Sequence, residues 1–195
     1  VFIGFETPHA DGLAEIRKKY NIRDLGRIKE STRLLRKYKI AVLGSFIMGL
    51  DVDNKGIGKT IGTAGLDYDL DVLNLMFLTP LPGTRLYERF NSEKRIPFTN
   101  FPEDWKHFTL AQPVMNYMNL SWQAMFGEMD QCFRVFYSFP RIALRILRNM
   151  MFSRSFTNAI LTSVSNFNYR SSLKKDREIF KTLNMAHGFP FGAGK

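Results

Sequence analysis

Three apolar runs of strand length stand out along the chain: residues 1–5 (VFIGF), 40–49 (IAVLGSFIMG) and 72–78 (VLNLMFL), each followed by Gly, Pro, Thr or an acidic residue. Between the first two, residues 13–38 are dense in Lys, Arg and Glu, with Ile16, Tyr20, Leu25, Ile28, Leu34 and Leu35 interspersed. That pattern fits one helix, or a pair broken around Asn21. Residues 56–70 are glycine-rich and of a length that suits a crossover helix. The order strand, helix, strand, helix, strand, with near-continuous apolar strands, predicts parallel pairing and burial of both sheet faces.

After Thr84 the pattern changes. Residues 85–91 begin as a helix, and then Pro97, Pro102 and Pro113 punctuate an aromatic-rich loop that holds Phe98, Phe101, Trp105, His107 and Phe108. From Leu120 onward the periodicity is helical, with Ser121 as N-cap, a break at Pro140, a further helix over residues 141–151 and another over 173–183. The tail, HGFPFGAGK, reads as disordered. The expected division is 1–89, 90–183 and a tail at 184–195.

Composition narrows this picture. A chain of 195 residues that is 45% hydrophobic and 14% aromatic can bury a sizeable core. It opens on Val1 within an apolar strand, so a preceding segment is expected. Arg141, Arg145 and Arg148 interrupt the most hydrophobic late segment, and no stretch approaches the ~20 apolar residues of a spanning helix. A single cysteine, Cys132, excludes an internal disulfide framework and cannot alone hold zinc or an iron-sulfur cluster, so a cytoplasmic setting is expected. Of the net charge of +10, nearly all lies late: residues 133–195 hold 11 basic and 2 acidic side chains. Such a surface suits an anionic partner or is a solvated helix face.

Two apparent motifs fail on inspection. Gly58, Lys59 and Thr60 resemble the end of a phosphate-binding loop, but the spacing requires glycine where Asp53 stands, and a carboxylate there repels phosphate. Asp51, Asp53 and Gly56 hint at a calcium loop, but Lys55 takes a ligand position and Gly62 stands where the bidentate glutamate belongs. His9, His107 and His187 lack metal-ligand spacing.

Three segments in order, G-F-E-T at residues 4–7, S-F-I-M-G-L-D-V-D at 45–53 and L-T-P-L-P-G-T-R-L-Y at 78–87, are similar to the second half of the radical S-adenosylmethionine (SAM) barrel. The chain most resembles the cobalamin-binding radical SAM proteins with a C-terminal extension, a group that includes hopanoid methylases. The resemblance implies an α/β fold, the C-terminal half of a partial (β/α)6 TIM-like barrel with parallel strands, followed by a mainly α-helical extension. It implies SAM binding by Glu6 and Thr7 after the first strand here, by Ile47 and Gly49 against adenine, by Asp51 of the D-x-D variant, and by Lys19 with its neighbour Lys18 near the methionine carboxylate. Ser45 and Val52 depart from the family pattern, in place of a glycine and an acidic residue. The turn at Pro80, Pro82, Gly83 and Thr84 matches the family's P-x-P-G-T and is expected to be stiff.

The three-cysteine segment that ligates a [4Fe-4S] cluster in this family does not occur in the chain, nor does a cobalamin-binding segment. The resemblance therefore implies a fragment of a radical SAM enzyme with methyltransferase-like chemistry, inert alone, whose partners are the missing N-terminal cobalamin- and cluster-binding segments. The alternative is a non-enzymatic basic module on an anionic membrane or nucleic acid, nucleic acid being the less favoured of the two. Arg141, Arg145 and Arg148 at i, i+4 and i+7 form a basic stripe on a helix whose apolar side, with Ile142, Ile146, Leu147, Met150 and Met151, either covers the barrel or lies at the periphery of a membrane, near a lipid substrate.

Overall fold

The structure, a computed structural model, describes residues 1–18, 25–151 and 156–187, the side chains of residue 25 and of residues 172–187 excepted. Its sheet has three parallel strands in the order β1 (Phe2–Glu6), β2 (Leu43–Met48) and β3 (Val72–Phe77). These are the three apolar runs of the sequence, trimmed where Gly, Thr and the acidic residues stop the ladder. Among the described residues between β1 and β2 lie α1 (Ala10–Glu15) and α2 (Ile28–Lys37), so residues 13–38 do not form one continuous helix. The expected break at Asn21 falls in residues 19–24, outside the described residues.

The crossover from β2 to β3 is α3 (Ile57–Asp67), whose glycines would weaken an isolated helix. Tertiary packing overrides that weakness. A β carbon on Gly58 would collide with the Glu128 carbonyl, and one on Gly62 would sit 2.8 Å from the Cys132 oxygen. The glycines thus let α3 lie directly on α5 (Trp122–Phe136), burying Ile57 and Ile61 against Met125, Met129 and Phe133. Each such fully buried side chain contributes roughly 1.5–3 kcal/mol. Ser121 caps α5 as expected, its Oγ accepting from the Ala124 amide at 3.2 Å.

α4 (Arg85–Ser92) follows β3, capped by Thr84, whose Oγ1 accepts from the Tyr87 amide at 3.2 Å. The aromatic segment after it folds inward, with Phe98, Phe108 and Trp122 in one cluster. The chain ends in α6 (Phe139–Met151), with Pro140 in its first turn, and α7 (Phe156–His187). α7 runs through residues 173–183 and the first four residues of the expected tail; residues 188–195 lie outside the described residues. The whole is a mixed α/β arrangement, part of a parallel α/β barrel followed by a helical extension.

The two edges of the sheet differ. The outer edge of β3 is closed by the extension: Tyr137 bonds the Leu73 backbone, the Phe77 amide donates to Leu110, and Asn166 donates to the Asp71 carbonyl. The outer edge of β1 has no strand beside it among the described residues, and Phe2 is exposed.

Two of the three arginines of the α6 stripe, Arg145 and Arg148, face inward, against their expected direction, while Arg141 is exposed. Arg145 is buried, donating to the Phe136 carbonyl at 2.9 Å and to Asn166 Oδ1 at 2.5 Å, and Arg148 pairs with Asp69. Arg36 of α2 meets the same Asp69 carboxylate at 2.5 Å, so the loop before β3 draws guanidinium groups from both sides. A buried charge needs partners; Asp69 and Asp71 supply them for Arg36 and Arg148, and the Phe136 carbonyl and Asn166 for Arg145.

Candidate functional site

Parallel strands carry their carboxyl ends on one side of the sheet, where such folds build their sites. The segments leaving β1, β2 and β3 therefore share one rim. β1 ends irregularly: its register with β2 shifts between Gly4 and Glu6, and Glu6 takes a φ of 67°. A left-handed backbone at a non-glycine residue is uncommon and costs energy. Its consequence here is to fold the Glu6 side chain back over the sheet, so that a β carbon on Gly4 would come 2.8 Å from Glu6 Oε1.

Gly4 pairs with Ser45 and Ser45 with Asn74, so these three share a row, and Ile47 pairs with Met76 in the next row of the same face. The Glu6 carboxylate thus overhangs a face of small, polar and half-buried apolar groups. Its Oε1 accepts from Lys18 Nζ at 2.8 Å, while Oε2 has no donor among the described residues. The Ser45 hydroxyl in the middle of the row is buried with no hydrogen-bond partner among the described residues. Chemically the face offers one carboxylate oxygen as acceptor, a neighbouring ammonium, a central hydroxyl and two apolar side chains.

Of the residues singled out in the sequence, Glu6 and Ile47 meet on this face. Thr7 is buried beneath α1: its Oγ1 accepts from the His9 amide at 3.3 Å, and a β carbon on Gly12 would touch its methyl group. Gly49 has a φ of 106° and no room for a β carbon, because the Tyr117 ring and Met125 pack against it. Asp51 is held by two guanidinium groups, Arg89 and Arg95, each at 2.7 Å. Burial acts to raise its carboxyl, but the hydrogen bond and charge of Arg95, then those of Arg89, hold it below the usual range. Lys19 lies outside the described residues; its neighbour Lys18 is the one beside Glu6.

Around the rim the loops are tied to one another by side chains. Glu15 of α1 accepts from the Asp51 and Val52 amides at 3.0 and 3.3 Å. Asn119 donates to the Asp51 and Asp53 carbonyls, and Tyr117 donates to the Leu78 carbonyl at 3.1 Å. Asp53 closes the loop after β2, its Oδ2 accepting from the Gly49 and Leu50 amides at 2.8 and 3.0 Å. Burial nevertheless pushes its carboxyl up to about 6. The Pro80–Thr84 segment ends β3 and starts α4, with Gly83 at a φ of 81°.

The start of α3, which resembled a phosphate loop, already holds an anion. Glu128 of α5 accepts from the Gly56 amide through Oε1 and from the Gly58 amide through Oε2, both at 2.9 Å. A carboxylate at a helix N-terminus satisfies donors that would otherwise bind phosphate. Among the described residues no group of three or more His, Cys, Asp or Glu could hold a metal ion. Burial pushes the Cys132 thiol up, away from the thiolate form that ligates iron or zinc.

Asn74 and Met76 belong to the face but were not singled out in the sequence, and Ser45 was noted there only as a departure from the family's glycine. Two signals pointed to them: period-two alternation outward from Ile47, and an asparagine inside the apolar run VLNLMF.

No family model matches the chain. It is similar to the hopanoid C-2 methylase of Rhodopseudomonas palustris, 30% identical over 96 residues that make up 49% of this chain and 18% of that protein. It is also similar to an uncharacterized methyltransferase of Pyrococcus horikoshii, 26% identical over 117 residues, 60% of this chain and 24% of the relative. A third relative is an uncharacterized methyltransferase of Synechocystis, 28% identical over 96 residues, 49% of this chain and 18% of the relative. The matched stretch spans less than a quarter of the length of each of these relatives. Proteins named as methyltransferases are thus among the relatives of about half this chain.

Proposed function

We propose that the chain is the SAM-binding portion of a methyltransferase of the radical SAM type, and that SAM lies on the open face of β1 and β2. The observation that carries this reading is the Glu6 carboxylate, turned back over Gly4 with Oε2 available, beside the half-buried Ile47. The residues present fit the ligand. Oε2 accepts a hydrogen bond from a ribose hydroxyl or the amino group, Lys18 attracts the methionine carboxylate, and Ile47 and Met76 give adenine an apolar bed. SAM when bound supplies an activated methyl group or, in radical enzymes, the deoxyadenosyl fragment that takes a hydrogen from substrate.

An iron-sulfur cluster does not fit the residues of this chain, whose one cysteine is buried. In this proposal the cluster and the cobalamin are held by other segments of the longer protein, and the uncovered outer edge of β1 is where a preceding strand pairs. The substrate follows only from the name of one relative, which suggests a hopanoid or similar polycyclic lipid.

Calorimetric titration of the chain with SAM tests the site. Glu6→Ala is expected to weaken binding at least tenfold while the fold, followed by circular dichroism, is retained. Equal affinity in the variant would remove Glu6 from the site.

A further inference from the structure

The closure of the β3 outer edge leaves one gap. In a parallel strand alternate residues turn their N–H and C=O groups to opposite edges. The Val72 and Leu78 amides donate to the Val42 and Met48 carbonyls, so the even-numbered residues of β3 face β2, and Leu73, Leu75 and Phe77 face outward. Leu73 is bonded through both groups by the Tyr137 hydroxyl, and the Phe77 amide donates to the Leu110 carbonyl at 2.9 Å. The Leu75 amide and carbonyl, lying between them, meet no outward partner among the described residues. Leu75 is only 5% exposed, and buried backbone groups are almost always paired with protein, water or a ligand.

A cavity of about 250 Å³ adjoins this gap, lined by Leu75 together with Leu110, Met129, Phe133 and Tyr169, with Ala111 exposed at its mouth. That volume is several times the ~30 Å³ share of one water and approaches the ~300 Å³ at which small-molecule pockets begin. No charged side chain lines it among the described residues, which suits a neutral occupant. The Phe133 and Tyr169 rings lie within 17° of the Tyr137 plane, and with the Met129 thioether they give walls suited to a flat ring. Leu110, which frames the cavity, has a φ of 65°, a conformation that a leucine rarely adopts and that costs energy.

An added peptide strand does not fit this edge, because it would need successive outward-facing residues and both Leu73 and Phe77 are taken. One residue's amide and carbonyl instead match a ligand that carries an acceptor and a donor side by side. We infer that the cavity binds a small, neutral, planar ring with an amide edge, a lactam or imide of the kind found in pyrimidine bases. Its N–H donates to the Leu75 carbonyl, and its own carbonyl accepts from the Leu75 amide. The inference goes beyond the SAM reading and does not depend on it, since it rests on Leu75 and not on Glu6.

Titration of the isotope-labelled full chain with uracil, followed by the nuclear magnetic resonance of its backbone amides, tests the inference. A saturable shift of the Leu75 amide is expected. N,N′-dimethyluracil keeps the ring and its carbonyls but lacks the N–H, and should bind at least tenfold more weakly. Ala111→Trp, which fills the mouth from an exposed position, should also weaken uracil binding at least tenfold, at an unchanged urea midpoint; if the midpoint falls, the comparison of the two ligands on the parent chain decides. Glu6→Ala should bind uracil as the parent does. A Leu75 amide that uracil does not shift would leave the gap to ordered water and overturn the inference. Equal binding of the dimethyl compound, or equal binding by a stably folded Ala111→Trp, would overturn it as well. So would loss of uracil binding in Glu6→Ala, because the ring would then sit on the face of β1 and β2.

Discussion

The Tyr137 hydroxyl donates to the Leu73 carbonyl at 2.6 Å and accepts from the Leu73 amide at 3.0 Å, taking the place that a further strand would occupy on the outer edge of β3. A free edge exposes a row of unpaired backbone groups, and here one side chain from the end of α5 satisfies two of them. Tyr137 is fully buried, its ring stacked on Phe133 and edge-on to Phe136. The helical extension is thereby part of the sheet's own hydrogen bonding.

Tyr137→Phe keeps the ring and removes only the hydroxyl, stranding a buried amide and carbonyl. A loss of about 1–3 kcal/mol is expected from the usual penalty for unsatisfied buried groups, read as a lower urea midpoint at unchanged slope. An unaltered midpoint would mean that water reaches this edge.

Glu128→Ala removes the anion from the start of α3 and leaves the Gly56 and Gly58 amides without their partner. The expected cost is roughly 1.5–3 kcal/mol, the range for hydrogen bonds to a charged group. Gly58→Ala should be at least as damaging, since its methyl group would meet the Glu128 backbone and force α3 off α5. Thermal unfolding of both variants checks this, and a tolerated Gly58→Ala would contradict the close helix contact.

Asp53 makes stability depend on pH in a direction opposite to that of most carboxylates. Its folded value is raised from 3.8 to about 6, so the folded chain holds the proton more tightly than the unfolded one. The stabilisation is complete below 3.8 and is lost as pH rises through about 6, an amount on the order of 3 kcal/mol at roughly 1.4 per pH unit. Asp53→Asn keeps an oxygen for the Gly49 and Leu50 amides and removes the titration. Relative to the parent, its urea stability should rise by up to about that amount between pH 4 and pH 7, and parallel pH profiles would contradict the assignment. Asp51, held low by its two arginines, acts in the opposite sense: its contribution is present above the ordinary carboxylate range and is lost as pH falls through its folded value.

The strands and their parallel order were legible because each is a continuous apolar run between turn signals, and parallel neighbours are the ones that require such long crossovers. Ser121 was legible as a cap because capping is local chemistry. The inward direction of Arg145 and Arg148 was not: hydrophobic periodicity places the apolar side inward, and it is reversed by partners that the fold brings near, Asp69 and Asp71 for Arg148 and the Phe136 carbonyl and Asn166 for Arg145. The candidate site divides in the same way. Glu6 could be picked out as a carboxylate at a strand end, but its turn back over Gly4 depends on a positive φ that the sequence does not announce. Thr7, Gly49 and Asp51 sit at the expected strand ends, and the groups that occupy them, Gly12, Tyr117, Arg89 and Arg95, come from other segments.

Hydrogen exchange of the chain with and without SAM examines the proposed face most directly. Slower exchange is expected for the backbone amides of residues 4–6 and 47–48, and it should vanish in Glu6→Ala. Protection confined to Gly56 and Gly58, protection that persists in that variant, or none at saturating SAM would place the ligand elsewhere.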